Sequence, residues 1–258
     1  MEPPISPVLF SILLFLGMLI MLEVGRRLGV WRRSKEAESE RSNLGPVEGA
    51  VFALFGLLIA FTFSGAASRF NEKRMLIAEE ANTIETAYLR LHLVPEAQPE
   101  LQELFRRYLD SRLETYRTLP NMQAARLEMA NSKEIREEIW TKAVVATRLP
   151  SSHPAAGWVL LPALNSMIDM ATTRTMALQV HPPRIIYALL FGLGLICSLL
   201  AGYRMAGGQH RSWLHILGFT VITVIVVYVV LDIEYPRAGL IRLESADQVL
   251  VELRQEMK

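Results

Sequence analysis

Residues 49–94 read GAVFALFGLLIAFTFSGAASRFNEKRMLIAEEANTIETAYLRLHLV. The first 19 of them contain no Asp, Glu, Lys or Arg. A helix crosses the ~30 Å hydrocarbon core of a bilayer in about 20 apolar residues. The remainder is charged, yet Ile77, Ala81, Ile84, Ala87, Tyr88 and Leu91 keep helical spacing. Glu79, Asn82, Thr83, Thr86 and Arg90 form a polar stripe beside them. No proline occurs between Pro46 and Pro95, and Gly65 is the only weak point. The stretch therefore predicts one helix that crosses a membrane and runs on beyond it, on the order of 70 Å in all.

Three further stretches, Val8–Leu22, Ile185–Tyr203 and Trp213–Leu231, are equally free of charge. The 27 basic and 26 acidic residues of the 258-residue chain all lie outside these four spans. Segregation this sharp excludes a single soluble globule. It also excludes disorder, which needs low hydrophobicity throughout. A net charge of +1 supplies no basic face for nucleic acid. Val8–Leu22 is preceded by no positive charge and followed by Glu23-Val24-Gly25-Arg26-Arg27. Those flanks are the reverse of a signal peptide's, so the span is read as a retained transmembrane helix.

The fold class that follows is an all-α polytopic membrane protein. It has four transmembrane helices and a helical extramembrane domain inserted between the second and third. The expected divisions are 1–67 for a first transmembrane hairpin, 68–181 for the extramembrane domain, 182–232 for a second hairpin, and 233–258 for a charged turn and short terminal helix.

Within the insertion, Leu101, Leu104, Phe105, Tyr108, Leu109, Leu113, Tyr116 and Leu119 mark a helix from Pro99 to Leu119, ended by Pro120. Asn131 and Glu134 have capping-box spacing and predict a helix from about residue 131 to Arg148. Another starts near Pro162, a residue suited to a first helical turn, and stops at Pro182-Pro183. Ser245 and Gln248 predict the start of the terminal helix.

Small residues line two spans. Gly194, Ser198 and Gly202 recur every fourth position, and Gly49, Ala53, Gly56, Ala60 and Ser64 recur at three and four. In lipid such stripes let helix backbones approach closely, either inside one subunit or between subunits around a pore.

Catalytic chemistry is absent from the pattern. There is no nucleophile elbow, phosphate loop or dinucleotide-binding glycine motif. The five histidines lack metal-ligand spacing, so neither a metal nor a cofactor is expected. Asp232, Glu234 and Arg237 make a charged turn at the membrane surface, stiffened by Pro236. An ion pair of these carboxylates with Arg237, or with the polar stripe of the soluble helices, is expected there.

The loop after the first span carries Arg26, Arg27, Arg32, Arg33, Lys35 and Arg41, and the segment before that span carries no Lys or Arg. By the positive-inside rule this hairpin places the loop in the cytoplasm and the helical insertion on the periplasmic side.

Residues 61–74, FTFSGAASRFNEKR, resemble the second-helix signature of bestrophin channels. Phe61, Ala66, Arg69, Phe70, Glu72 and Arg74 match it, whereas Thr62, Ser64 and Ala67 depart from it. Glu80-Ala81-Asn82, Thr86–Arg90, Leu164–Asp169 and Asp232–Gly239 are similar to a bacterial bestrophin-like membrane family. The acidic calcium-binding run of animal bestrophins is absent. The resemblance implies an oligomeric anion channel with four transmembrane helices per subunit, its second helix lining the pore and continuing into a cytosolic helical domain. That places the insertion opposite to the charge count.

The expectation is thus a multi-pass protein of the bacterial inner membrane, not an enzyme. Its partners would be the lipid bilayer, three or four further copies of itself, and inorganic ions. Phe52, Phe55, Leu58, Ile59 and Phe63 are the candidate pore and gate residues, because apolar constrictions gate by dewetting. The alternative is a non-conducting scaffold or sensor whose helical domain binds a partner.

Overall fold

The structure, a computed structural model, describes residues 6–33, 45–118, 121–206, 213–235, 240–241 and 244–257. All regular elements among the described residues are helical. They are α1 (Pro7–Arg33), α2 (Gly45–Leu89), a 3-10 turn at Arg90–Leu93, α3 (Gln98–Arg117), α4 (Met122–Ala146), α5 (Ala156–Ala177), α6 (Arg184–Met205), α7 (Trp213–Glu234) and α8 (Glu244–Glu256). Four of these, α1, α2, α6 and α7, are long and apolar enough to cross a membrane. The chain divides into two units. One holds α1, α6, α7 and α2 as far as Arg69; the other holds the rest of α2 with α3, α4, α5 and α8.

The long helix forms as expected. It runs unbroken for 45 residues, about 68 Å. Gly65 does not interrupt it: the Arg69 guanidinium folds back over this position, 3.2 Å from where a Cβ would stand.

In the first unit, Leu14, Met18, Phe55, Leu190, Cys197, Val227 and Leu231 form the core. Leu14 faces Gly194 and Leu22 faces Gly202, so α1 and α6 run parallel. Their crossing is built on glycine. A Cβ at Gly202 would overlap the Leu22 carbonyl, and one at Gly25 would overlap the Leu199 carbonyl. The stripe Gly194, Ser198 and Gly202 is therefore consumed inside the chain, and the backbones touch where lipid supplies no hydrophobic drive.

In the second unit, Ile77, Ile84, Leu91, Leu101, Phe105, Leu109, Ile139, Leu160 and Leu164 build one apolar core. A charged cluster lies within it. Glu80 of α2 is fully buried. Arg112 of α3 donates to its Oε1 from Nε at 2.7 Å, and Arg174 of α5 donates to its Oε2. Arg174 also reaches Asp247 of α8 at 2.9 Å, and its guanidinium lies 3.8 Å from the centre of the Tyr116 ring. Burial alone would raise the Glu80 carboxyl, but the charges of Arg112 and Arg174 outweigh it and hold the group below its ordinary value. The Glu80 carboxylate thus joins three helices, and Arg174 carries the cluster on to a fourth, α8.

Two helix starts differ from expectation. α4 begins at Met122, where Asn121 Oδ1 accepts from the N–H groups of Gln123 and Ala124 at 3.2 Å, rather than at residue 131. The intervening residues include Ala, Leu, Met and Glu, all strong helix formers that carry the helix back to the earlier cap. α5 begins at Ala156, with Pro162 inside it. The proline lacks an N–H, and the carbonyl deprived of its partner belongs to the exposed Trp158. The side chain of Ser245, expected to cap the terminal helix, lies outside the described residues.

Candidate functional site

The five gate candidates on α2 occupy different faces. Phe55 is buried, its ring against Gly194. Phe52 makes an edge contact with Phe219, ring centroids 6.0 Å apart, and Leu58 and Ile59 are half-buried against the same core. Phe63 stands exposed. Thr62 returns its hydroxyl to the carbonyls of Leu58 and Ile59, both at 2.9 Å, so its polar group is satisfied within the helix.

The second small-residue stripe behaves unlike the first. Gly49, Ala53, Gly56, Ala60 and Ser64 are all exposed, and no atom lies within 4 Å of a Cβ built at Gly49 or Gly56. Only 11% of the apolar window of α2 is buried within the chain, against 28% for α1, 28% for α6 and 33% for α7. The glycine- and alanine-marked face of this long helix is left uncovered by the chain.

The family-signature residues continue along α2. Phe61 is exposed and Ala66 buried, Phe70 packs against the core of the second unit, and Glu72 and Arg74 are exposed. Arg69 finds a carboxylate. Its Nε lies 3.1 and 3.0 Å from the two oxygens of Glu234, and its Nη2 donates to Oε2 at 2.7 Å. Glu234, at the end of α7, is 1% exposed. His181 Nδ1 lies 3.1 Å from Glu234 Oε1, and the imidazole stacks on Tyr235 with ring centroids 4.7 Å apart. Asp232, also buried, accepts from Tyr228 at 3.1 Å. The cluster is an ionic clamp joining α2, α7 and the segment that leads into α6. A two-point Arg–carboxylate bond fixes orientation as well as distance.

The structure thus brings together residues from two sequence-derived sets: Arg69 of the signature and Glu234 of the charged turn. The expected partner Arg237 lies outside the described residues. Sequence reasoning missed His181; its only signal is its position directly before Pro182-Pro183 at the entry to the third span. It missed the Glu80 cluster as well. Glu80 follows Ile77 by three positions and precedes Ile84 by four, a placement that puts a carboxylate on the apolar stripe of the helix.

Comparison with known proteins follows the same lines. The sequence model of the Bestrophin-like domain matches residues 12–247. The crystal structure of a point mutant of a bacterial bestrophin homologue from Klebsiella pneumoniae matches with a TM-score of 0.57 at 13% identity. That match covers 94% of this chain and 98% of the other, and shows a shared fold. No curated protein sequence matches the chain.

Proposed function

The chain belongs to the Bestrophin-like family, and from that premise we propose that copies of it assemble around an axis lined by α2 to form an ion-conducting pore. One observation carries the reading. Two stripes of small residues run along membrane helices; the chain covers that of α6 with α1 and leaves that of α2 bare. Small side chains on an uncovered helix leave room for a water-filled axis or for a neighbouring subunit. Four or five subunits would close such a ring, and anions are the cargo that the bestrophin resemblance suggests.

Among the five gate candidates, Phe63 is the one already facing outward, so it stands first as an apolar constriction. Phe52, Phe55, Leu58 and Ile59 hold α2 to its own bundle and would reach an axis only if the helix turned. Arg69 and Glu234 neutralise one another and serve to fix the middle of α2, just past its charge-free stretch.

Purified protein in planar bilayers tests this. Single-channel currents are expected, and Phe63→Ala is expected to raise open probability. Protein shown to be folded and oligomeric yet electrically silent would overturn the reading. It would then favour the scaffold or sensor, whose best support is the exposed Trp158, 84% accessible on the helical unit.

The membrane is proposed to be the bacterial cytoplasmic one, with the helical unit on the cytosolic side as in the bestrophin design. A lone cysteine at the exposed Glu138, in a Cys197→Ala background, reports the side. Labelling by an impermeant maleimide only after permeabilisation is expected. Labelling of intact cells would favour the charge count instead.

A further inference from the structure

In its membrane part α2 is held to its bundle through side chains. Phe55 lays its ring on Gly194, Phe52 meets Phe219 edge-on, and the Cys197 thiol reaches the Val51 carbonyl at a loose 4.0 Å. The carbonyl-on-glycine approach that joins α1 to α6 has no counterpart on α2 among the described residues.

Two ion pairs bracket this stretch. At its start, Arg204 in the last turn of α6 donates from Nη1 to Glu48 Oε2 at 3.1 Å. Past its far side, Arg69 grips Glu234. Glu48 and Arg69 stand 21 positions apart, about 32 Å of helix and close to the ~30 Å of one hydrocarbon core. At about 3.6 residues per turn, Glu48, Phe55, Ala66 and Arg69 share the side of α2 that faces the bundle, and the bare stripe lies away from it.

The two pairs are unequal. The Glu234 side chain is 1% exposed, uses both oxygens on Arg69 and is braced by His181. The Arg204 side chain is 64% exposed and makes a single contact with Glu48. An ion pair with so exposed a partner is weak and is screened by salt; a buried one is screened far less. Glu48 itself is buried, and Arg204 is its ion-pair partner among the described residues. Once Arg204 lets go, a carboxylate is stranded at the membrane edge with little water around it, a costly position for a charge. Moving the start of α2 outward into headgroup water relieves that cost and leaves the Arg69–Glu234 bond in place.

We propose that Glu48–Arg204 is a releasable latch. When ionic strength rises at that face of the membrane, the Glu48 end of α2 swings away from α6 and pivots on the Arg69–Glu234 clamp. The inference does not rest on the pore reading. In a ring of subunits the swing would alter the axis at the latch end.

Double electron–electron resonance on the full chain in nanodiscs tests it. The background is Cys197→Ala, diluted with unlabelled protein so that only distances within one chain count. Spin labels at Val30→Cys and Val47→Cys report the latch end, and labels at Phe63→Cys and Ile185→Cys report the pivot end; all four native side chains are exposed. Raising salt from about 0.1 M to about 1 M shortens the screening length from about 10 Å to about 3 Å. The latch distance is expected to gain a population several ångströms longer, while the pivot distance stays fixed. Arg204→Gln, a change at an exposed side chain, should show the longer distance already at low salt and no further response. Glu48→Gln, which leaves no charge to strand, should keep the short distance at both salts. A latch distance that ignores both salt and Arg204→Gln overturns the proposal. So does a shift of both distances together, or a salt response that persists in Glu48→Gln.

Discussion

Arg69 and Glu234 stand 165 positions apart and meet through a two-point bond. Each marks the end of a charge-free span, where a lone charge beside lipid is costly. Removing one partner leaves the other stranded, a loss of about 3–5 kcal/mol for a buried pair. Arg69→Gln is therefore expected to lower the detergent melting temperature sharply. Arg69→Gln with Glu234→Gln should recover part of that loss; a double variant as unstable as the sum of the singles would show the pair to be unimportant. Glu80 obeys the same logic with a pH signature. Its carboxyl is held below its reference value of 4.5, so its contribution is complete above about pH 4.5 and is lost as the pH falls through the depressed folded value. Glu80→Gln should lower the melting temperature at pH 7 and flatten the acid limb of the stability profile. An unchanged limb would mean that other carboxylates govern acid unfolding.

At the scale of elements, the parallel crossing of α1 and α6 depends on Gly25 and Gly202 lying against opposing carbonyls. Neither position has room for a side chain, and overpacking of this kind commonly costs about 1–3 kcal/mol or more. Gly202→Leu is expected to reduce the yield of folded protein severalfold, whereas Gly56→Leu, at an uncovered site, should fold and alter assembly. Equal behaviour of the two in size-exclusion chromatography would contradict the division between covered and uncovered stripes. The sequence reveals both stripes, because glycine spacing is local. It does not reveal which is covered, because that depends on which helices meet. The long helix α2 was legible for the same local reason: no proline and a sustained apolar period. The start of α4 was not, because Asn121 and Asn131 are equally good caps and only the propensity of the residues between them separates the two.

At the scale of the molecule, four apolar spans and the charged helical unit were readable from where charge is missing. The ionic clusters were not, since pairing Glu80 with Arg112 and Arg174, or Glu234 with Arg69 and His181, requires long-range contacts that no periodicity encodes. If α2 lines a conducting axis, current through the Cys197→Ala protein with single cysteines added, recorded before and after a thiol-reactive cation, reports it. Modification at Ala53→Cys and Ala60→Cys is predicted to change the conductance, while Ile225→Cys, on the exposed face of α7, is predicted to be silent. Block at Ile225→Cys with none at Ala53→Cys or Ala60→Cys would contradict the account.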